Sequence, residues 1–239
     1  MHRFFASPLD EGRALLSPEE SAHAMKVLRM HQGDPCQALM EGEIYAASIL
    51  EAGDQVILAL GEKLPSPEPS LRITLYQGLP KGDKMEWICQ KCTEAGIFRI
   101  VPVLFSRCVS KWEKKDDEKK LPRWQRITQE AAKQSGRALT PEIASPITLK
   151  QLCAALPGHE LALVPWEDQK GNGIRRQFAG QKDIAVIIGP EGGMDAAEIE
   201  QMKAAGAVPV TLGPRIFRTE TAGLAAVIAL MTLSGDMDK

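Results

Sequence analysis

The chain is poor in aromatic residues and cysteine, and it has no long apolar run. Aromatic side chains make up 5% of the 239 residues, and only five cysteines are present. No apolar stretch approaches the roughly 18 residues that a membrane-spanning helix requires, and the N-terminal residues lack the apolar segment of a signal peptide. We therefore expect a cytoplasmic protein whose cysteines are reduced and contribute to packing.

Several motifs of common ligand sites are also missing. There is no G-x-x-x-x-G-K-[ST] segment, which excludes a Walker-type phosphate loop, and no G-x-G-x-x-G segment, which removes the dinucleotide fingerprint. The four histidines are scattered without metal-ligand spacing, so no metal is expected. Cys89 and Cys92 form a Cys-x-x-Cys pair on a segment predicted to be helical, with no second pair nearby, which makes a redox or zinc role the less favoured alternative.

The bulk composition is that of an ordinary globular protein, with 44% hydrophobic and 25% charged residues. The net charge is −2, but it is unevenly distributed. Residues 72–137 contain 15 Lys or Arg against 8 Asp or Glu, a local charge of +7, which leaves −9 on the remainder. A basic middle region favours a surface that faces a polyanion. A solvated charged loop explains the same counts, and both hypotheses stay open at this point.

Turn signals and periodicity predict two domains, residues 1–70 and residues 71–239. Ser17-Pro18 predicts the start of a short helix, and the short alternating segments that follow predict a small β-barrel or twisted sheet. Residues 64–70 contain three prolines and form a stiff linker. From Leu71 onward strands and helices alternate, which predicts an α/β domain with a parallel sheet covered by helices.

Four helices of the second domain are predicted together with their ends. The first extends from Asp83 to Ala95. The second extends from Pro122 to Ser135, because proline is tolerated in the first turn of a helix. The third begins at Asp195, which has the spacing of a capping box with Glu198. The last is an apolar helix from Thr221 to Leu233.

Two segments near the C-terminus share one organisation, a short apolar strand, then Gly-Pro, a polar loop and a helical pattern. The first loop is Gly189-Pro190-Glu191-Gly192-Gly193, and the second is Gly213-Pro214-Arg215-Ile216-Phe217-Arg218-Thr219-Glu220-Thr221. Ligands of open α/β sheets bind outside the carboxyl ends of the strands, so the two loops are predicted to form one ligand pocket. Pro190 removes a backbone N–H, which favours a mostly neutral ligand over a triphosphate.

Both loops also have plain structural explanations. A tight strand-to-helix turn accounts for the glycines of the first loop. Helix capping and a surface ion pair account for Thr219, Thr221 and Glu220 in the second. They account less well for two arginines that flank an apolar pair, so a ligand-binding role for Arg215 and Arg218 is favoured.

The two loops resemble the signature pair of the RsmE family, bacterial 16S ribosomal RNA (uracil-N3)-methyltransferases of the SPOUT superfamily. The paired motifs are highly specific, and the resemblance extends to further stretches, so that it covers essentially the whole chain. These stretches are His23-x-x-x-Val27-Leu28-Arg29, Lys84-Met85-Glu86 with Gln90-Lys91-x-x-Glu94-x-Gly96, and Glu130 through Gln134-Ser135-Gly136-Arg137.

The resemblance implies a fold and a cofactor. The fold would be an N-terminal PUA-like β-barrel that binds RNA and a C-terminal SPOUT α/β domain, a parallel sheet with a deep trefoil knot. The family binds S-adenosylmethionine in the knot and acts as a homodimer, with the RNA site near the subunit interface. By the family pattern, the cofactor is lined by the ends of three strands and the residues that follow them. These residues are Leu163, Val164, Pro165, Ile188, Gly189, Pro190, Glu191, Gly192, Gly193, Leu212, Gly213, Ile216, Phe217, Arg218, Thr219 and Ala222.

The substrate that the resemblance implies is a specific uridine of 16S rRNA, within the small ribosomal subunit. Uracil N3–H is a weak acid that must lose its proton as the methyl group arrives. Arg218 is therefore expected to steady the uracil oxygens or the RNA phosphate as N3 becomes anionic, and Glu220 is a candidate proton acceptor, directly or through water. Basic residues of both domains are expected to hold the RNA backbone. They are Arg3, Lys26, Arg29, Lys81, Lys84, Lys91 and Arg137.

Two alternative functions stay open at the level of the sequence. One is a SPOUT methyltransferase that acts on tRNA or on another rRNA base. The other is a non-catalytic RNA-binding protein of ribosome assembly whose pocket is vestigial. The intact glycines and Arg218 argue against the second alternative.

Overall fold

The computed structural model describes residues 1–10 and 12–238. Glu11 and Lys239, which fall within the two predicted domains, lie outside the described residues. The fold combines a closed β-barrel with a parallel sheet and its helices, which confirms the predicted mixed α/β class. No helix in the two described ranges is long and apolar enough to span a membrane.

Two compact units make up the protein, each built from two stretches of chain. The first contains Met1–Glu68 and Ala132–Leu139, and the second contains Pro69–Ala131 and Thr140–Lys239. From the sequence alone, Ala132–Leu139 is expected in the second domain. It belongs to the first unit because a side chain near its end, Arg137, donates a 2.6 Å hydrogen bond from Nη2 to Glu68 Oε2.

A five-stranded barrel forms the first unit. Its strands are β1 (His2–Asp10), β2 (Arg13–Leu16), β3 (Pro35–Met40), β4 (Glu43–Glu51) and β5 (Ile57–Leu64), closed in the order β1-β2-β5-β4-β3. The helix α1 (Pro18–Ala22) continues into a π-helical turn, His23–Val27. It starts where the sequence predicts, since the Ser17 hydroxyl accepts a hydrogen bond from the Glu20 backbone N–H. Alternate apolar side chains fill the interior, among them Phe4, Leu16, Ile49 and Leu58.

A seven-stranded sheet with helices forms the second unit. Its strands are β6 (Arg72–Gly78), β7 (Arg99–Leu104), β8 (Glu142–Ile143), β9 (Ile147–Thr148), β10 (Leu161–Pro165), β11 (Asp183–Ile188) and β12 (Val208–Val210). The helices in this part of the chain are α2 (Lys84–Glu94), α3 (Lys114–Ser135), α4 (Leu149–Ala155), α5 (Ile174–Gln177), α6 (Ala196–Ala204) and α7 (Thr219–Leu233). The residues of α3 from Ala132 onward count with the first unit.

The order of the strands brings three loop-bearing ends together. The sheet runs β12-β10-β11-β6-β7-β8, with β9 also paired to β7. Every pairing in it is parallel, which confirms the prediction from the alternation of strands and helices. Strands β11 and β12, which precede the two Gly-Pro loops, are separated by β10 alone. Because parallel strands end at the same edge, the residues after β10, β11 and β12 lie side by side.

Apolar layers cover both faces of this sheet. One layer contains Leu75, Ile88 and Leu230, and the other contains Ile187 and Met202, all fully or nearly fully buried. A strand that is buried on both faces needs apolar residues at consecutive positions, which explains the uninterrupted run of β11.

The predicted start is correct for α6 and wrong for α3. Asp195 and Glu198 form the predicted capping box at the start of α6. By contrast, α3 begins at Lys114, so Pro122 lies inside it and the predicted start at Pro122 is wrong. A proline in a helix interior removes the hydrogen bond to the residue four positions earlier. That residue, Glu118, is exposed, so water can replace the missing donor.

Candidate functional site

A cavity of about 780 Å³ opens at the carboxyl-end edge of the parallel sheet. The stretches that follow β10, β11 and β12 line most of it, and Lys84 of α2 and Ala222 of α7 complete the wall. The structure thus brings both Gly-Pro loops to one cavity. Its volume lies in the range of roughly 300–1,000 Å³ that is typical of small-molecule sites.

The first loop packs directly against the end of β6. A β-carbon added at Gly78 would lie 2.4 Å from the Pro190 nitrogen and 2.7 Å from the Gly189 carbonyl carbon. Real β-carbons are not found that close to backbone atoms, so position 78 requires glycine. Gly213 in the second loop has a φ of +104° and no atom within 4 Å of an added β-carbon. It therefore supplies a left-handed turn and leaves backbone open to a ligand.

A buried hydrogen-bond chain joins three elements around the cavity. Gln77 Nε2, at the end of β6, donates to Thr219 Oγ1 at 2.9 Å. Thr219 Oγ1, at the start of α7, donates to the Gly189 carbonyl oxygen at 2.6 Å. Gln77 is fully buried, and its Oε1 accepts no hydrogen bond from the residues that the structure describes. The chain fixes the start of α7 to the loop after β11.

Lys84 is held between two carboxylates at the cavity wall. Its Nζ lies 3.0 Å from Glu191 Oε1 and 3.2 Å from Glu220 Oε2. The hydrogen bond that the Lys84 ammonium donates to Glu191 raises the pKa of Lys84, and Glu220 adds to the effect. Burial alone would raise the pKa of Glu191, but hydrogen bonds from the Lys81 backbone N–H and from Lys84 outweigh burial and lower it. The lysine is therefore protonated and Glu191 ionised around neutral pH.

The second loop presents charged and apolar side chains at the mouth of the cavity. Arg215, Ile216 and Arg218 are all exposed, Ile216 to 82%. Neither guanidinium group makes a hydrogen bond or an ion pair with any residue in the described part of the chain. Two such guanidinium groups beside a cavity suit an anionic partner, since Arg binds phosphate and carboxylate oxygens in a planar fork.

Most of the residues predicted to bind cofactor line this cavity. They are Pro165, Ile188, Gly189, Pro190, Glu191, Gly193, Leu212, Gly213, Ile216, Phe217, Arg218, Thr219 and Ala222. Leu163 and Val164 are buried within β10 and do not reach the cavity wall. Gly192 faces away from it, because an added β-carbon there would lie 3.0 Å from both Cβ and the carbonyl oxygen of Arg107.

The residues predicted to hold RNA have different environments. Arg3, Lys26, Arg29 and Lys81 are exposed. Arg3 also donates hydrogen bonds to the Gln37 side chain and the Gly136 carbonyl, and Arg29 has a left-handed φ of 55°.

Three of the predicted RNA contacts are engaged within the protein. Lys84 is held by its two carboxylates, and Lys91 Nζ lies 2.9 Å from Glu94 Oε1. Arg137 is 5% exposed and binds Glu68. Its predicted contact with RNA is therefore corrected to a structural role, because its guanidinium is buried in an ion pair.

A third stretch of cavity wall has no counterpart among the predicted residues. It follows β10 and contributes Trp166, Glu167, Gln169, Lys170 and Gly171. The signal that could have identified it is position alone. The stretch follows the carboxyl end of a predicted parallel strand, where ligands of such sheets bind.

The cysteine pair belongs to the core. Cys89 and Cys92 have no exposed surface, and burial raises the pKa of the Cys92 thiol to about 12. Such thiols are not reactive at neutral pH. Across residues 1–10 and 12–238, no group of three or more His, Cys, Asp or Glu side chains is arranged to hold a metal ion.

Comparison with known proteins identifies relatives over nearly the whole chain. A family model described as an RNA methyltransferase domain matches residues 66–231. The protein named ribosomal RNA small subunit methyltransferase E of Bacillus subtilis is 33% identical over 90% of this chain and 88% of its own length. Its namesake from Mesomycoplasma hyopneumoniae is 33% identical over 94% of this chain and 96% of its own length.

Solved structures show the same architecture. A putative methyltransferase of Legionella pneumophila in complex with S-adenosylmethionine superposes with a TM-score of 0.81 at 33% identity, covering 96% of both chains. Ribosomal RNA small subunit methyltransferase E of Neisseria gonorrhoeae, bound to S-adenosyl methionine, gives 0.79 at 31% identity over 98% of both chains. This chain therefore belongs to the RNA methyltransferase domain family and, within it, to the ribosomal RNA small subunit methyltransferase E (RsmE) family.

Proposed function

We propose that the protein transfers the methyl group of S-adenosylmethionine to N3 of a uridine in 16S rRNA. The observation that carries the proposal is the cavity formed by the two Gly-Pro loops, with the unpaired Arg215 and Arg218 at its mouth. Two solved relatives contain S-adenosylmethionine, and the curated relatives are named for the RNA of the small subunit. We place the reaction in the cytoplasm, where ribosomal subunits are assembled.

The cavity fits S-adenosylmethionine in size and in lining. Its apolar wall, which includes Ile188, Leu212 and Ala222, suits an adenine ring. The bare backbone at Gly213 permits close approach. Charged side chains at the rim suit the amino-acid end of the cofactor. When bound, S-adenosylmethionine supplies a methyl group activated by its positively charged sulfur, so the transfer needs no metal.

The residues of the chain supply alignment and charge relief. A bond forms from N3 to the methyl carbon as the sulfur–carbon bond breaks, and the N3 proton passes to a base. Arg218 stabilises the negative charge that develops on the uracil oxygens. Glu220 is the proposed proton acceptor, directly or through water. Lys84 cannot take that role, because it is already protonated. Since Glu220 Oε2 is buried, we assign the proton to its other oxygen.

RNA binding is assigned to exposed or partly exposed basic residues of each unit. In the first unit these are Arg3, Lys26 and Arg29, and in the second unit Lys81 and Lys91. Lys91 stays in the set, because its pair with Glu94 is a partly exposed surface pair of small net energy. Contacts of this kind release counterions, so the affinity for RNA should fall as the salt concentration rises.

We further infer a deep trefoil knot around the cavity, a PUA-like barrel in residues 1–70, a methyltransferase domain in residues 71–239 apart from Ala132–Leu139, and a homodimer. The homodimer is supported by apolar surface on two helices that pack together. Trp87 of α2 and Ile228 of α7 are each 38% exposed. Ile228→Glu should convert a dimer to monomers in sedimentation equilibrium. Met237→Glu, at an exposed apolar residue beyond α7, should not.

Methyl transfer to three RNAs tests the proposed function. Assembled small subunits, naked 16S rRNA and tRNA would each be incubated with labelled S-adenosylmethionine, digested to nucleosides and examined by mass spectrometry. We expect 3-methyluridine in 16S rRNA. Methylation of tRNA alone, or of another base of rRNA, would show that the proposed substrate is wrong. Binding of RNA and cofactor without transfer would favour a non-catalytic role in ribosome assembly.

A further inference from the structure

One carboxylate at the cavity has no side-chain partner among residues 1–10 and 12–238. Glu167 follows β10, lines the cavity and is exposed. Its Oε1 lies 3.7 Å from the position that a β-carbon on Gly193 would occupy, so it stands beside the first Gly-Pro loop. Glu167 makes no hydrogen bond and no ion pair with the residues that the structure describes.

The other carboxylates nearby are already engaged by groups of the protein, and they share one ammonium. Glu191 accepts hydrogen bonds from the Lys81 backbone N–H and from Lys84 Nζ. Glu220 lies 3.2 Å from the same ammonium. Of the two carboxylates that line the cavity, Glu167 is thus the one whose side chain has no partner in the described part of the chain.

We propose that Glu167 binds a cationic group of the cofactor and so determines which adenosine compounds the cavity accepts. The inference rests on the proposed function, since it takes the ligand to be S-adenosylmethionine. That compound carries two positive charges, on its sulfonium and on its α-ammonium. The remaining unpaired charged residues that line the cavity, Lys170, Arg215 and Arg218, are cations and would repel both groups.

The two cationic groups predict different selectivity. S-adenosylhomocysteine, the product, keeps the ammonium but has lost the sulfonium. A carboxylate against the sulfonium would hold the substrate more tightly than the product and promote product release. A carboxylate against the ammonium would hold both equally. 5′-Methylthioadenosine has neither charge and reports on the shape of the cavity alone.

Isothermal titration calorimetry on the full chain tests the inference without turnover. The titrants are S-adenosylmethionine, S-adenosylhomocysteine and 5′-methylthioadenosine. The variants are Glu167→Gln, which keeps the shape and removes the charge, and Asp168→Asn as the matched control. Asp168 is an exposed neighbouring acid that does not line the cavity. We expect Glu167→Gln to lower the affinity for S-adenosylmethionine about tenfold, or about 1.4 kcal/mol. The affinity for 5′-methylthioadenosine should stay unchanged.

Every outcome has a defined meaning. If Glu167→Gln loses affinity for S-adenosylmethionine alone, the proposal is supported and Glu167 binds the sulfonium. If it loses as much affinity for the product, the proposal is supported and Glu167 binds the ammonium. Unchanged affinity in Glu167→Gln overturns it, and so does an equal loss for 5′-methylthioadenosine or in Asp168→Asn. If the unmodified protein binds none of the three compounds, the proposed function fails instead.

Discussion

Thr219 Oγ1 lies 2.6 Å from the carbonyl oxygen of Gly189, to which it donates a hydrogen bond. This single contact joins the first residue of α7 to the loop that follows β11. Both residues line the cavity, so the contact sets the distance between two of its walls. Gln77, at the end of β6, donates a hydrogen bond to the same hydroxyl at 2.9 Å and so holds it in place.

Replacing Thr219 by valine should weaken the cofactor site with little change of shape. The variant leaves the Gly189 carbonyl without its donor and the Gln77 amide without one of its acceptors, at a cost of about 1–3 kcal/mol. We expect a lower free energy of unfolding by that amount and a weaker affinity for S-adenosylmethionine. Urea denaturation and calorimetry would measure the two. Thr221→Val, at a threonine that does not line the cavity, should leave both values unchanged, and equal losses there would refute the role of Thr219.

Gly78→Ala tests the close approach of β6 to the first loop. The new β-carbon would stand 2.4 Å from Pro190 N, so the loop must move outward. Overpacking of this kind costs about 1–3 kcal/mol, and we expect a matching loss of stability together with weaker cofactor binding. Gly158→Ala is the matched control, because nothing lies within 4 Å of a β-carbon there and its φ is not left-handed. Normal cofactor binding by Gly78→Ala would show that the loop is free to shift.

The sequence is sufficient to place the two Gly-Pro loops, because local signals determine them. Glycine and proline end an apolar strand wherever they follow one, and the carboxyl ends of parallel strands share one edge. For the same reason the capping box at Asp195 is predicted correctly. The strands β1 and β2 are missing from the sequence prediction, because their residues show neither clear alternation nor strong turn signals.

Long-range partners are the part that the sequence does not determine. From the sequence, Arg137 is predicted to contact phosphate. In the structure it forms an ion pair with Glu68, which is distant in the sequence. Lys84 is similar, because its partners Glu191 and Glu220 come from two other elements. The contact of Gly192 with Arg107 also depends on a loop brought in from β7. Such pairings follow from the order of the strands, which local patterns do not specify.

Lys84→Met should loosen the cavity by removing the charge between two carboxylates. Glu191 and Glu220 would then repel each other, and the loop after β11 would lose its attachment to α2. We expect the affinity for S-adenosylmethionine to fall roughly tenfold, the order of one charge-assisted hydrogen bond. Lys84→Arg should restore much of it. Lys203→Met serves as the control, because Lys203 forms a similar 2.7 Å pair with Glu200 on α6. Full affinity in Lys84→Met would contradict this role.

The stability that the Lys84 ion pairs contribute should depend on pH in a defined direction. The lowered pKa of Glu191 gives stabilisation that is present above its ordinary value of 4.5 and lost as pH falls through the lowered value. The raised pKa of Lys84 gives stabilisation that is present below 10.5 and lost as pH rises through the raised value. The difference in unfolding free energy between the unmodified protein and Lys84→Met should be constant from about pH 6 to 9. It should shrink in strong acid, and growth of the difference there would refute the pairing.

Arg218→Ala should reduce turnover far more than cofactor affinity. The Arg218 side chain stands at the mouth of the cavity without a partner among the described residues, so its removal should not disturb the folded protein. Removing one group that stabilises developing charge typically lowers kcat by about 10²–10³. We expect a loss of that size in single-turnover methylation of small subunits, with the Kd for S-adenosylmethionine changed by less than about threefold.

Arg215→Ala separates this role from simple attraction of RNA. The Arg215 side chain is also exposed and has no partner in the described ranges, but it lies farther along the chain from the start of α7. Its removal should raise KM for RNA and reduce the salt dependence of binding by about one phosphate contact, with kcat nearly unchanged. If Arg218→Ala instead lowers the affinity for S-adenosylmethionine by about 10²–10³ and leaves kcat unchanged, then Arg218 binds the cofactor and does not act on the base.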